Sequence, residues 1–274
     1  GYEASIELKN YKLFSKLLRK GATGLAESYM DGDFDTTRLS DLLLFGFDNE
    51  SDFLSSRNNN LILEYYIKLR HYWNQNTKTN SKKNIKHHYD LGNDFYKHWL
   101  DQTMTYSSAI FTEKNHDLYG AQIHKYDQIA KPMQLNENSN LLEIGCGWGG
   151  FSSHVAKKYK SKVKAITISK AQFDFASQHI LNEGLNEKVS IEMRDYRDIN
   201  STYSNIASIE MFEAVGREYW GIFLETIKKS LIPEGLASLQ IITIKDEKAL
   251  EYQKNPDFIQ QYIFPGGVLP SKKQ

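Results

Sequence analysis

The fold is decided by one stretch, Asn140-Leu-Leu-Glu-Ile-Gly-Cys-Gly-Trp-Gly-Gly150. Its apolar residues Leu141, Leu142 and Ile144 predict a buried strand, and helical spacing resumes over residues 151–159. The glycines between them let the backbone turn tightly and approach a ligand closely, because glycine has no Cβ. The stretch therefore predicts a strand, a nucleotide-binding loop and the start of a helix.

Two kinds of cofactor are compatible with this loop. Gly145, Gly147 and Gly150 satisfy the G-x-G-x-x-G pattern of dinucleotide sites. Such sites also place an acid about twenty residues later to hold the ribose, but residues 165–169 contain none. Glu143 instead completes an E-x-G-x-G arrangement that resembles S-adenosylmethionine (SAM) methyltransferases. We therefore predict that Glu143, Gly145 and Gly147 belong to a SAM site rather than to a purely structural turn, with the SAM carboxylate near the helix N-terminus.

Composition excludes several classes of protein. The 274 residues suffice for one large domain and a small one. Lys plus Arg and Asp plus Glu both number 34, so no net charge attracts the chain to nucleic acid. No apolar run approaches the roughly 18 residues that span a bilayer, and no signal-peptide pattern is present. We expect a cytoplasmic protein without nucleic-acid partners, in which the single cysteine, Cys146, is a small loop residue.

The first 75 residues are predicted to form a small helical domain. Apolar residues fall on one helical face between Leu8 and Arg19, and Gly21 ends that helix as a C-cap. Two further helices are predicted, at Leu39–Phe47 and Leu61–Trp73. This domain could bind lipid or cover the active site, and simple packing remains open as the alternative.

A polar linker is predicted at residues 76–86, because the sequence from Asn74 to Asn84 has no apolar side chain. A basic group near its end could contact anionic headgroups or simply be solvated; it comprises Lys82, Lys83 and Lys86 together with His87 and His88. The neighbouring His87, His88 and Asp90 resemble metal ligands. Adjacent side chains diverge, however, and no partner cluster appears in the sequence, so we predict no metal site.

Residues 87–274 show alternating strands and helices. Such alternation predicts an α/β fold with a parallel sheet that is covered on both faces. Ligands of such sheets bind at the carboxyl ends of the strands. The strands after the first are predicted at Val163–Ile168, Val189–Met193, Ile206–Met211 and Leu236–Ile244.

Several motifs together resemble the cyclopropane fatty acid synthases, SAM-dependent enzymes that act on double bonds in phospholipid acyl chains. The motifs follow the family's order: Leu25–Gly32, His88–Tyr96, Tyr106–Phe111, Leu142–Gly150, Ile166–Gln172, Asp195–Asp198, Ser208–Gly216 and Phe264–Ser271. The resemblance implies a class I SAM methyltransferase fold, which is Rossmann-like with a mostly parallel sheet. It also implies unsaturated acyl chains as substrate, peripheral contact with the inner face of the membrane, and a homodimer as one form of assembly.

The resemblance assigns SAM contacts to three further segments. Tyr106 and Ser107 match contacts to the carboxylate end of SAM. Thr167, Ser169 and Gln172 match the segment that reaches the ribose and adenosine, with neutral hydrogen bonds in place of an acid. The last pair, Asp195 and Tyr196, matches the adenine contacts, although a core role for the tyrosine stays open.

Glu213 is the residue to which the resemblance assigns the chemistry. In similar enzymes the Glu of the Met-Phe-Glu motif anchors bicarbonate, which removes a proton after the alkene has attacked the sulfonium methyl. A hydrogen bond between the Glu carboxylate and bicarbonate requires that one of them carries a proton. Burial would favour this, because it raises the pKa of a carboxyl group. SAM and bicarbonate are therefore the cofactors that the sequence predicts.

Two positions depart from the family pattern and leave the product open. The usual cysteine after Tyr-Ser is Ser108, and the usual histidine of the fifth strand is Gln240. Both help form the bicarbonate site in similar enzymes, and Gln240 cannot change charge as histidine can. A cyclopropane is our first expectation, and a methyl-branched or methylene chain is the alternative. A small-molecule methyltransferase and a non-catalytic SAM- or lipid-binding module also remain open.

The resemblance further implies a longer protein. Family members continue past the Phe-Pro-Gly-Gly-x-Leu-Pro-Ser motif, with the last strands of the sheet and another active-site tyrosine. We therefore expect that this chain is a fragment and that its sheet has an exposed edge.

Overall fold

The computed structural model describes residues 3–49, 76–89, 92–114 and 117–274, without the side chains at 82, 83 and 86–89. Several predictions lie outside the described residues: the helix at Leu61–Trp73, the basic side chains Lys82, Lys83 and Lys86, and the group His87, His88 and Asp90. Within the described ranges, no helix is long and apolar enough to cross a membrane.

The chain divides into two compact units. The first combines residues 1–73 with residues 251–263, and the second combines residues 74–250 with residues 264–274. The sequence analysis placed residues 251–263 in the methyltransferase domain. The structure groups them with the N-terminal helices, where Tyr262 Oη donates a hydrogen bond to Glu27 Oε1 at 2.7 Å.

The described N-terminal part of the first unit, residues 3–49, contains three helices and a two-stranded antiparallel sheet. Leu13, Phe34 and Leu42 form its buried core. Gly21, with a left-handed φ of +56°, ends the first helix, and its N–H donates to Leu17 O, which confirms the predicted C-cap. The elements are β1 (Glu7–Leu8), α1 (Lys12–Lys20), α2 (Ala22–Met30), β2 (Phe34–Asp35) and α3 (Leu39–Asp48).

The second unit is built on a five-stranded sheet with the order β5-β4-β3-β6-β7. All of its strand pairs are parallel, which confirms the predicted Rossmann-like α/β fold. The strands are β3 (Asn140–Ile144), β4 (Lys162–Thr167), β5 (Val189–Met193), β6 (Tyr203–Ile209) and β7 (Leu231–Gln240).

Helices cover both faces of this sheet. Leu141 packs on one face with Phe151 and Val155, whereas Leu142 packs on the other with Phe223. The alternation follows from the two-residue period of a strand, which sends successive side chains to opposite faces. The described helices after residue 49 are α4 (Lys78–Tyr89), α5 (Asn93–Lys97), α6 (Leu118–Ala130), α7 (Gly150–Tyr159), α8 (Lys170–Asn182), α9 (Trp220–Ser230) and α10 (Asp246–Lys254), of which α10 crosses the division between the two units.

The segment predicted as a polar linker, residues 76–86, is instead largely helical. Helix α4 begins at Lys78. Polar contacts hold it, because Arg197 donates to the backbone O of Asn76 and to Ser81 Oγ, each at 3.1 Å. The conformation predicted for the linker was therefore wrong. The sequence pattern of the segment did not reveal the helix because the residue that holds it, Arg197, is more than a hundred residues away in the sequence.

Two strand boundaries also differ from the prediction. Strand β6 ends at Ile209 because Glu210 adopts a left-handed φ of +48°, which breaks the extended backbone. Strand β7 runs from Leu231 to Gln240 rather than from Leu236 to Ile244. A register shift opposite Tyr203 and Asn205 absorbs the extra residues and extends the strand toward its start.

Candidate active site

The predicted site residues lie at one edge of the sheet, because the carboxyl ends of parallel strands meet there. The loop after β3 contains Gly145, Gly147 and Gly149, all with left-handed φ. The N–H groups of Gly145 and Cys146 both donate to Ile166 O at 3.0 Å, which fixes the loop against β4. A Cβ on Gly147 would meet no described atom within 4 Å. The loop therefore borders open space that a ligand can approach.

Glu143 lies beneath this loop rather than at its surface. Its side chain is buried, and its Oε2 accepts a short hydrogen bond from Ser152 Oγ of α7. Burial raises the pKa of Glu143 to about 8, although the Ser152 hydrogen bond and the charge of Lys125 act in the opposite direction. Glu143 thus joins β3 to α7 and shapes the loop, and its predicted contact with SAM remains a prediction.

Ser107 has a partner that the sequence analysis did not identify. Its Oγ accepts a hydrogen bond from Lys125 Nζ at 2.6 Å, and Lys125 is fully buried. Burial lowers the pKa of Lys125 to about 8, against the attraction of nearby carboxylates, chiefly Glu210. The sequence did contain a signal that Lys125 is buried, because this lysine shares a helical face with the apolar residues Ala121 and Ile129. The site therefore includes a buried amine next to a predicted SAM contact.

Tyr106 belongs to an aromatic cluster formed by Tyr96, Trp99, Tyr106 and Trp148. Its ring lies 5.4 Å from Tyr96 and 5.3 Å from Trp99, and Tyr96 lies 5.1 Å from Trp148. Trp148 Nε1 also donates to Asn93 Oδ1 at 2.8 Å. These contacts bring Asn93 and Tyr96 of the predicted motif against the glycine loop.

Thr167, Ser169 and Gln172 contact one another at the start of α8. Thr167 Oγ1 donates to Gln172 Oε1 at 2.9 Å, and Ser169 Oγ accepts from Gln172 N at 3.3 Å. Ser169 is thus the N-cap of α8. The structure brings the three residues together as predicted from the motif, while their contact with ribose or adenosine stays a prediction.

Asp195 and Tyr196 have internal partners. Arg197 donates to both carboxylate oxygens of Asp195, from Nε at 2.8 Å and from Nη2 at 2.7 Å. Burial raises the pKa of Asp195, but the hydrogen bonds from Arg197 outweigh it, so that the pKa is lowered. The Tyr196 ring packs in the core, 5.3 Å from Phe223. An adenine contact by Asp195 would have to share this carboxylate with Arg197, which the sequence analysis did not anticipate.

Glu210 links the two residues that depart from the family pattern. Its Oε1 accepts from Ser108 N at 2.9 Å and from Gln240 Nε2 at 2.6 Å. Gln240 Nε2 also lies 3.3 Å from Ser108 O. We call Ser108, Glu210 and Gln240 the Glu210 cluster. The sequence analysis placed Glu210 within the predicted strand Ile206–Met211 and gave no sign that its carboxylate binds both neighbours.

Glu213 lies three residues further on, with one carboxylate oxygen engaged and the other not. Its Oε1 accepts a short hydrogen bond from Ile242 N. Its Oε2 is buried and has no hydrogen-bond partner among the described residues. Burial raises the pKa of Glu213 to about 7, opposed by the Ile242 hydrogen bond and assisted by the charge of Glu210. A carboxyl group of this kind can exchange a proton near neutral pH.

The sheet order and the glycine loop define the fold of class I SAM-dependent methyltransferases. Coclaurine N-methyltransferase shares this fold, with a TM-score of 0.54 and 23% identity over 76% of this chain and 67% of that one. A family model described as mycolic acid cyclopropane synthetase matches residues 76–274. The chain belongs to this family.

Three relatives illustrate the range of the family. Cyclopropane-fatty-acyl-phospholipid synthase of Escherichia coli K12 is 36% identical over 99% of this chain and 68% of its own length. Tuberculostearic acid methyltransferase UfaA1 of Mycobacterium tuberculosis H37Rv is 32% identical over 94% of this chain and 62% of its own length. The crystal structure of mycolic acid cyclopropane synthase CmaA1 with SAH and CTAB has a TM-score of 0.64 and 32% identity, covering 69% of this chain and 70% of that one. The chain thus spans about two thirds or less of the length of these two curated relatives.

Proposed function

We propose that the protein methylates a carbon of a double bond in unsaturated phospholipid acyl chains, using SAM, and that the first product is a cyclopropane. The observation that carries the proposal is Glu213, whose buried Oε2 has no hydrogen-bond partner in the described part of the chain, in a protein that belongs to the cyclopropane synthetase family. The cyclopropane synthase CmaA1 was solved with SAH, which is the product that SAM leaves after methyl transfer.

SAM fits the residues at the end of β3. The space beside Gly147 is open, and Ser107 and Tyr106 border the same region through Lys125 and the aromatic cluster. The buried Lys125 amine provides positive charge toward the end of the site that the resemblance assigns to the SAM carboxylate. When bound, SAM supplies a sulfonium-linked methyl group. The chain's own residues must then orient the alkene and manage the charge that follows.

Glu213 is the proposed proton acceptor. Attack by the alkene forms a carbon–carbon bond to the methyl group, breaks the sulfur–methyl bond and leaves a carbocation on the neighbouring carbon. Glu213 Oε2 accepts a proton from the new methyl group, and the C–H electron pair closes the ring. Its raised pKa makes the carboxylate a stronger base than an exposed glutamate. The aromatic cluster offers ring faces that stabilise a nearby cation.

Bicarbonate does not fit the residues that were predicted to hold it. Ser108 N and Gln240 Nε2 already donate to Glu210, and Ile242 N already donates to Glu213. Two carboxylates therefore occupy the donors that an additional anion would need, and their charges oppose its entry. We derive no step through bicarbonate.

Methyl transfer without ring closure is the second candidate. Gln240 is the observation that favours it, because an amide cannot share a proton as a histidine can. Loss of a proton from a neighbouring chain carbon would then give a methyl-branched alkene. A hydride shift that moves the cation to the methylated carbon, followed by loss of a proton from the new methyl group, would give a methylene chain instead. UfaA1, which is named for tuberculostearic acid, matches nearly the whole of this chain.

The decisive experiment supplies isotope-labelled SAM and unsaturated phospholipid vesicles to the full-length protein. We expect the label in the acyl chains, with a mass gain of one methylene group. NMR then distinguishes a ring from its methylene isomer. Label only in a soluble hydroxyl or amine compound would indicate a small-molecule methyltransferase, and SAM binding without any labelled product would indicate a non-catalytic module. Either result would overturn the proposal.

Membrane contact is proposed for helix α3. Four large apolar side chains on this short helix are exposed: Leu43, Leu44, Phe45 and Phe47. Exposed apolar groups of this number on a single helix are typical of an interaction surface. They support a peripheral contact that gives access to acyl chains, and we place it at the inner face of the membrane.

A further inference from the structure

We infer that the Glu210 carboxylate occupies the anion site expected for bicarbonate, and that it acts there as a positioning residue, so that the reaction does not depend on bicarbonate. The inference rests on the proposed methyl transfer for its kinetic readout. It concerns Ser108, Glu210 and Gln240, which are the Glu210 cluster, and it leaves Glu213 as the proton acceptor.

The first support is the hydrogen-bond geometry. One oxygen, Glu210 Oε1, accepts from a backbone N–H at 2.9 Å and from a side-chain amide at 2.6 Å. These donors belong to Ser108 and Gln240, the two positions expected to form an anion site. Charge-assisted hydrogen bonds of this kind are short and strong. The donors are thus already satisfied by a covalently attached carboxylate.

The second support is the backbone of Glu210 itself. Its φ of +48° is unfavourable for a residue with a long side chain. Its N–H donates to Gln240 O at 2.9 Å, so the backbone and the side chain of Glu210 both contact the same residue of β7. With this backbone conformation the Glu210 carboxylate reaches both donors, Ser108 N and Gln240 Nε2.

The third support is the charge around the cluster. Burial lowers the pKa of Lys125 and raises that of Tyr106, and the nearby charge of Glu210 acts to raise both, so its carboxylate lies near the buried amine and near one predicted SAM contact, Tyr106. Glu213 experiences this charge as well. A bicarbonate ion next to Glu210 would add a further negative charge to a region that already contains two carboxylates. A resident carboxylate supplies the same hydrogen-bond acceptor without any cost of binding a free ion.

The test compares two substitutions of Glu210 in full-length protein, in buffer purged of carbon dioxide and with bicarbonate added. Glu210→Gly suits the left-handed backbone and frees both donors. Glu210→Gln keeps an oxygen on the donors but removes the charge. We expect wild type to show the same rate in both buffers. We expect both variants to lose about tenfold or more in the purged buffer, because Ser108 and Gln240 lose their charged anchor. Bicarbonate should restore only the glycine variant.

A matched control is Glu234→Gly. Glu234 also has a left-handed φ, +63°, but lies exposed in the irregular part of β7. It should not change the rate in either buffer. Stimulation of wild type by bicarbonate, full activity of Glu210→Gly in purged buffer, or failure of bicarbonate to raise its rate would each overturn the inference.

A binding measurement separates this inference from the proposed function. Carbon-13-labelled bicarbonate, observed by NMR, should show line broadening with Glu210→Gly and none with wild type. If wild type methylates no lipid, the proposed function fails, and this titration still decides whether Glu210 occupies an anion site. Broadening by wild type would refute the assignment even if lipid methylation were confirmed.

Discussion

At the scale of single residues, the site contrasts two glutamates three positions apart. Glu210 is tied to Ser108 and Gln240, whereas Glu213 keeps one buried oxygen without a partner among the described residues. The motif in the sequence identified Glu213 as the reactive candidate. It could not identify the role of Glu210, because that role depends on a backbone conformation and on partners from two other segments.

Replacing Glu213 by Gln should reduce kcat/KM about 10²- to 10⁴-fold, because the amide cannot accept the proton. Gln still offers an oxygen to Ile242 N, so thermal stability should change little. In wild type, log kcat/KM should rise with pH and level off above about 7, since the carboxylate is the active form. Lipid methylation across pH measures both effects. Glu225→Gln on the exposed face of α9 is the control, and equal activity of the two variants would exclude Glu213 as the base.

At the scale of elements, the glycine loop and its flanks were predictable, and helix α4 was not. The apolar residues of strand β3, Leu141, Leu142 and Ile144, pack on both faces of the sheet, so the sequence alone indicates a buried strand. Helix α4 has a polar sequence and is held at its start by Arg197. Local pattern carries no information about such a distant partner, which is why the segment resembled a linker.

Gly150, the first residue of α7, should not tolerate a methyl group. A Cβ there would lie 2.5 Å from Tyr126 Oη and 2.9 Å from Thr103 O. We expect Gly150→Ala to lower the free energy of unfolding by about 1–3 kcal/mol, as overpacking does. A Cβ on Gly221 in α9 would meet no described atom within 4 Å, so Gly221→Ala should raise the free energy of unfolding by about 0.5–1 kcal/mol. Urea denaturation compares them, and a Gly150→Ala protein as stable as wild type would contradict the packing.

The junction of β3 and α7 should make stability depend on pH. The pKa of Glu143 is about 8 in the folded chain, above its usual 4.5, so the folded state holds this proton more tightly. The stabilisation of the folded state by this proton is complete below a pH of about 4.5 and is lost as pH rises through 8. Between these values the free energy of unfolding falls by up to about 1.4 kcal/mol per pH unit. Glu143→Gln should flatten the profile between pH values of about 5 and 7 in urea denaturation. The exposed Glu137→Gln should leave it unchanged, and identical profiles for all three proteins would refute the assignment.

At the scale of the whole molecule, the proposed function requires access to an acyl chain, and none of the described helices could cross a membrane. Phe47 is the most exposed of the apolar residues on α3, at 72%. Phe47→Ser should weaken binding to phospholipid vesicles roughly tenfold, the equivalent of about 1.4 kcal/mol of lost apolar burial. Vesicle co-sedimentation measures this. Leu224→Ser, exposed on α9, is the control, and unchanged binding by the Phe47 variant would show that α3 does not contact the membrane.

The division of the chain has a consequence for its synthesis on the ribosome. The first unit draws on residues 1–73 and on residues 251–263, so its two parts emerge far apart in time. Glu27 acquires its hydrogen bond from Tyr262 only after the sheet-forming segments have been made. Domains otherwise tend to fold in the order in which they are translated. Here residues 251–263 complete the first unit only after the strands of the sheet, which end at Gln240, have been made.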